Sequence, residues 1–117
     1  IIDTTVVSSH GSEDTANFTS TDKLYLLAPK EIYTDWSNNY DTAKDLTRTL
    51  DYYTSIGVTT SNSLGAVKKN GTNAAWWWPR TAHSTNRYNF YYVDYDGDWS
   101  FHSASSTHGV APAFRLG

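Results

Sequence analysis

Residues 76–117 read WWWPRTAHSTNRYNFYYVDYDGDWSFHSASSTHGVAPAFRLG, with small polar residues and tyrosines threaded onto a few apolar positions. Between 83 and 108 nearly every residue is Asn, Asp, His, Tyr, Ser or Thr; the exceptions are Arg87, Phe90, Val93, Gly97, Trp99, Phe101 and Ala104. From Thr81 onward there is no Lys, Glu, Gln or Met. The apolar period in this third is that of strands, which are expected at 76–80, 88–95, 98–103 and 111–116. Asp96-Gly97 supplies the hairpin turn between the second and third. Strand side chains alternate, so Phe90 and Val93 both face inward only if a bulge separates them. Of Trp76, Trp77 and Trp78, the same alternation puts at least one in the core, and Trp77 is the expected one.

The remainder reads as short elements. Val6 and Val7 end a strand that starts in IIDTTVV, and an opening on a strand pattern leads us to expect a preceding segment, or a partner chain, that completes the fold. Residues 10–21 read as a loop rich in Ser, Thr, Asp and Gly. KLYLLA at 23–28 reads as a buried strand or an apolar turn. Pro29 starts a short helix over 29–36, with Glu31 and Asp35 near its positive end. Asp41 or Thr42 caps a longer helix whose apolar face is Ala43, Leu46, Leu50, Tyr53 and Ile56, stopping at Gly57. Residues 58–75 form an excursion with at most a short strand at Ala66 and Val67. At 117 residues this is one α+β domain.

Composition excludes several functions. A net charge of -3 with scattered Lys and Arg offers no footprint for nucleic acid. No apolar run approaches the roughly 20 residues of a membrane helix, so membrane insertion is not expected. The absence of Cys removes a disulfide framework, a thiolate metal site and a cysteine nucleophile. His10, His83, His102 and His108 lack the spacing of a helical zinc motif and read as contact or surface residues. Asp94, Asp96 and Asp98 could hold a hard cation, but Gly97 falls between the acids, and Ser105 stands where an EF-hand places its Glu. A solvated acidic hairpin is the expectation. With no nucleophile elbow and no phosphate loop, no catalytic residue, metal site or cofactor is assigned. Arg80 and Arg115 read as framework residues that bind loop carbonyls or carboxylates.

The ordered set Trp77, Trp78, Arg80, Thr81, then Phe90, Val93, Gly97, then Gly109, Val110, Pro112, Ala113, Phe114 and Arg115 resembles the C-type-lectin fold in its formylglycine-generating-enzyme-like version. Pro79 departs from it, where a leucine is expected, and implies an edge or bent strand. The enzyme that names this version works through its own cysteines, so its activity does not carry over. Within the fold, the chain is similar to the variable proteins of bacterial and phage diversity-generating retroelements, in which adenines of selected Asn codons are randomised. Such codons never yield Lys, Glu, Gln, Met or Trp, which matches 83–108 apart from Trp99.

The resemblance implies a single domain over 1–117, with 76–117 as the variable ligand-binding region on short helices and a small, mostly antiparallel sheet. It implies no enzymatic activity and a place on a bacterial surface or phage virion. The partner is then a protein or glycan on a cell surface; an invariant carbohydrate- or cell-wall-binding module is the alternative. The expected contact residues are His83, Thr85, Asn86, Tyr88, Asn89, Tyr91, Tyr92, Asp94, Tyr95, Asp96 and Asp98. Ser100, Phe101, His102, Ser103, Ser105 and His108 complete the set. Tyr suits the task because it gives broad amphipathic contact at low entropic cost. Trp77, Arg80, Phe90, Val93, Gly97, Trp99, Gly109, Pro112 and Phe114 are read as scaffold.

Overall fold

The structure, a computed structural model, describes residues 1–12 and 16–117. Alternation in TTVVS forms strand β1 (Thr4–Ser8), which buries Thr4, Val6 and Ser8 and pairs antiparallel with β2 (Phe18–Asp22). The expected loop over 10–21 therefore ends early: from Phe18 the β-branched and hydroxyl residues take up the free edge of β1. Residues 13–15 of that loop lie outside the described residues. Strand β3 (Tyr25–Leu26) then leads into α1 (Pro29–Ile32), a single turn shorter than the expected 29–36. Pro29 opens it, and the Glu31 carboxylate turns back to accept the Ala28 N–H at 2.9 Å.

The expected helix over 41–56 is broken in two. A 3-10 turn at Lys44–Leu46 is followed by extended backbone, and α2 spans only Asp51–Ser55. The intervening groups bond to α1 instead of to their own helix. Leu50 N–H donates to the Glu31 carbonyl, Thr49 Oγ1 to the Lys30 carbonyl and Thr47 Oγ1 to the Glu31 carboxylate. Tertiary bonds of this kind outweigh the weak helix propensity of threonine. Leu46 and Ile56, expected on the buried face, are consequently exposed.

Residues 58–75 carry more structure than expected. A 3-10 turn at Leu64–Ala66 replaces the strand expected near Ala66, and β4 (Lys68–Asn70) and β5 (Asn73–Ala75) form a hairpin turned by Gly71. Strand β6 (Asn89–Val93) pairs with β7 (Trp99–Ser103), close to the expected bounds. The segment 76–80 is not a strand; among the described residues its β-pairing is limited to bridges from Trp77 to Val93 and to Gly109. Pro79 supplies no N–H, and Arg80 N–H leaves to the Leu27 carbonyl, so pairing cannot propagate. The last expected strand shrinks to β8 (Pro112–Ala113), paired with β3, plus a bridge from Ile2 to Arg115. The result is an α+β domain of two short helices and four two-stranded antiparallel sheets among the described residues. Its radius of gyration, 13.6 Å, matches the roughly 13 Å of a compact domain this size.

Aromatic rings dominate the core. Trp36 stacks on Tyr33 and meets Tyr91 and Trp99 edge-on, with centroids 5.0–5.8 Å apart. Trp77, Ile32, Val58, Ala66 and Val93 close the remainder. The Trp36 indole N–H is satisfied by Asp41, whose carboxylate also accepts the Ala43 N–H. Burial raises the Asp41 carboxyl above its ordinary value, while those two donors pull the other way. The folded chain thus holds this proton to higher pH than the unfolded chain, and ionising Asp41 costs stability as pH rises through that window. Asp41→Asn keeps an acceptor for the indole and removes the ionisation. The urea midpoint of the variant relative to the parent is expected to rise as pH climbs above the ordinary carboxylate value of about 4. A difference that stays constant with pH would refute this.

Candidate functional site

The β6–β7 register sorts residues 89–103 into two faces. Tyr91 pairs with Phe101 and Val93 with Trp99 on the inward side; Phe90 pairs with His102 and Tyr92 with Ser100 on the outward side. No bulge interrupts the register, so Val93 is inward and Phe90 outward, partly exposed rather than part of the core scaffold. Trp77 lies fully buried, its indole N–H donating to the Ala66 carbonyl. Its neighbours Trp76 and Trp78 are both half-buried. The 107–111 return passes close by: Gly109 N–H donates to the Trp76 carbonyl at 2.7 Å and Trp78 N–H to the Gly109 carbonyl. A Cβ at Gly109 would sit 3.0 Å from the Trp76 oxygen, tight even for real contacts.

This arrangement gathers one aromatic cluster from three segments. Trp76 stacks on Tyr92 at 5.2 Å and lies 5.6 Å from Tyr95 and 5.1 Å from His108. The His108 ring sits 4.4 Å from Trp78, and His102 lies 5.7 Å from Tyr92 and 5.5 Å from His108. Recesses flank the cluster. A groove of about 490 Å³ is lined by Asn70, Ala74, Trp76, Tyr95, Thr107 and His108. An apolar pit of about 350 Å³ lies between Leu26, Trp78, Pro79, Phe90 and Ala104, beside Arg80. Among the described residues, the Trp76 indole N–H is buried and has no acceptor.

Charge on this side is modest. Desolvation, and then its neighbour His102, push the His108 imidazole below its ordinary value, so it is neutral at physiological pH. The turn of the hairpin is an internally bonded acidic loop. Asp94 Oδ1 accepts the Asp96 and Asp98 N–H groups, and Asp98 Oδ1 accepts the Ser63 hydroxyl at 2.7 Å.

Of the expected contact residues, Tyr92, Tyr95, Ser100, His102 and His108 meet on or beside the outward face. Asp94, Asp96 and Asp98 cap one end of the hairpin, while Thr85, Asn86, Tyr88, Asn89, Ser103 and Ser105 surround the other. Phe101 is partly exposed at the rim of the inward side, 4.7 Å from His83. Two expected contacts are withdrawn from solvent. Tyr91 is fully buried, its hydroxyl donating to Asn38 Oδ1 at 2.7 Å. His83 is buried under Tyr40, and its Nδ1 accepts the Thr85 N–H. The outward side gains Trp76, Trp78 and Phe90, which sequence reasoning had left unassigned or placed in the scaffold. Placing Trp77 in the core already implied that Trp76 and Trp78 point the other way.

A family model described as a domain of unknown function (DUF6273) matches residues 1–117. The chain belongs to the DUF6273 family. No curated protein and no solved structure matches it. Among the described residues of this DUF6273 domain, no three His, Asp or Glu side chains converge to enclose a metal ion, and no helix is long and apolar enough to cross a membrane.

Proposed function

We propose that this domain is a non-enzymatic binding module of the C-type-lectin-like fold. It recognises a protein or glycan on a cell or partner surface through the outward face of β6–β7. The observation that carries the reading is the division of labour across the hairpin: Tyr91 and Val93 are locked in the core, while Tyr92, Tyr95, His102 and His108 are grouped around Trp76. A rigid base under an amphipathic aromatic surface is what affinity without a preformed catalytic centre requires. We read the residues between the framework positions as the diversified set of a retroelement variable protein on a bacterial or phage surface.

Labelled domain applied to a glycan array and to cultured bacterial cells tests the face. Tyr92→Ala with Tyr95→Ala and His102→Ala is expected to reduce binding by at least about tenfold. Tyr52→Ala, on exposed α2, leaves it unchanged. Binding that survives the triple change would place recognition elsewhere.

One observation favours the alternative of an invariant carbohydrate- or cell-wall-binding module. Trp76 and Trp78 form part of the face, and Trp is outside the repertoire of randomised Asn codons. The coding sequence separates the two readings: an adenine-rich near-copy of codons 76–117 beside a reverse-transcriptase gene supports diversification, and its absence removes that version.

A further inference from the structure

The histidines at 102 and 108 are six apart, a spacing that signals nothing in a helix or a strand. The fold nevertheless brings them together, because β7 carries His102 on its outward face and the 107–111 return lays His108 against the same cluster. Nδ1 of His102 stands 3.4 Å from Nε2 of His108. Zinc–nitrogen bonds are roughly 2.0–2.1 Å, so two nitrogen ligands at the tetrahedral angle stand about 3.4 Å apart. We propose that His102 and His108 form an open, two-nitrogen chelate for a borderline divalent transition metal such as Zn²⁺ or Cu²⁺, on a site independent of the identity of the ligand.

One further feature supports the pair. The His108 ring is held by Trp76, Trp78 and Tyr92, at centroid distances of 4.4–5.1 Å, so little ordering remains for metal binding. Imidazole selects Zn²⁺, Cu²⁺ or Ni²⁺ over the oxygen-seeking Ca²⁺ and Mg²⁺. An ion held by only two ring nitrogens keeps positions for water or for a donor from a bound partner.

Calorimetric titration of the whole chain with ZnCl₂ and with CuCl₂ near neutral pH is expected to show one equivalent bound, Cu²⁺ more tightly. The ring-proton resonances of His102 and His108 should shift together under Zn²⁺. His102→Gln changes a solvent-exposed side chain and is expected to weaken binding by at least about tenfold, as is His108→Gln. His10→Gln leaves binding unchanged. Zn²⁺ that leaves the two ring signals in place, or a His102→Gln chain that binds as tightly as the parent, overturns the proposal.

Discussion

Arg80→Met is expected to lower the free energy of unfolding by about 3–5 kcal/mol, read as a fall in the urea midpoint at unchanged slope. The side chains of Arg80 and Glu31 are each only 8% exposed. Arg80 Nη1 and Nη2 meet the two Glu31 oxygens at 2.8 and 3.1 Å, while Nε donates to the Val7 carbonyl and Nη1 also to the Leu26 carbonyl. One guanidinium thus joins β1, β3 and α1. Glu31 extends the network to the Ala28 N–H and the Thr47 hydroxyl. Removing the cation strands a buried carboxylate, which costs far more than the pair contributes net. Arg80→Lys is expected to recover little, because an ammonium cannot reproduce the bidentate fork and the two carbonyl bonds together. Adding Glu31→Leu to Arg80→Met should restore part of the loss by removing the stranded charge. A cost below about 1 kcal/mol for Arg80→Met would mean that the pair behaves as a solvated surface bridge.

The β6–β7 hairpin was legible because its signals agree: alternating apolar residues, an Asp-Gly turn and short strands of matched length. Trp77 was legible for the same reason. The misreadings have a common physical origin in bonds between distant segments. Nothing near Thr47 or Thr49 in the sequence announces that their hydroxyls go to α1, so the apolar spacing of Ala43, Leu46, Leu50 and Tyr53 imitates one continuous helix. Phe90 and Tyr91 exchanged places for a simpler reason. Their composition suggested an aliphatic-like Phe inside and an amphipathic Tyr outside, whereas the strand period, anchored by Val93, decides the opposite. Tyr91 tolerates the core because Asn38 accepts its hydroxyl proton, a partner 53 residues away that sequence cannot supply. The pairing of His102 with His108 escaped detection likewise, since metal-ligand spacings are learned from regular elements and this pair spans a strand and a return loop.

Gly97→Ala is expected to destabilise the domain by about 3 kcal/mol, lowering its melting temperature by on the order of 10 °C. Two costs combine there. Gly97 has φ +84°, a backbone region that a Cβ disfavours by roughly 1 kcal/mol. A Cβ would also be 1.9 Å from the Ser63 carbonyl oxygen, so the backbone at the start of the Leu64–Ala66 turn must move. That backbone is not free to yield: the Ser63 hydroxyl donates to Asp98 Oδ1, Ala66 N–H bonds the same Ser63 carbonyl, and the Tyr33 hydroxyl donates to the Gly97 carbonyl from the core. Gly57 separates the two terms, because it shares the positive φ, at +71°, but has nothing within 4 Å of its Cβ position. Gly57→Ala is therefore expected to cost only about 1 kcal/mol. Equal losses at the two glycines would show that the close packing of the hairpin turn on Ser63 contributes nothing. With unequal losses, Gly97→Ala should also weaken the proposed binding at the outward face, since the turn that sets the β6–β7 register is docked through this contact.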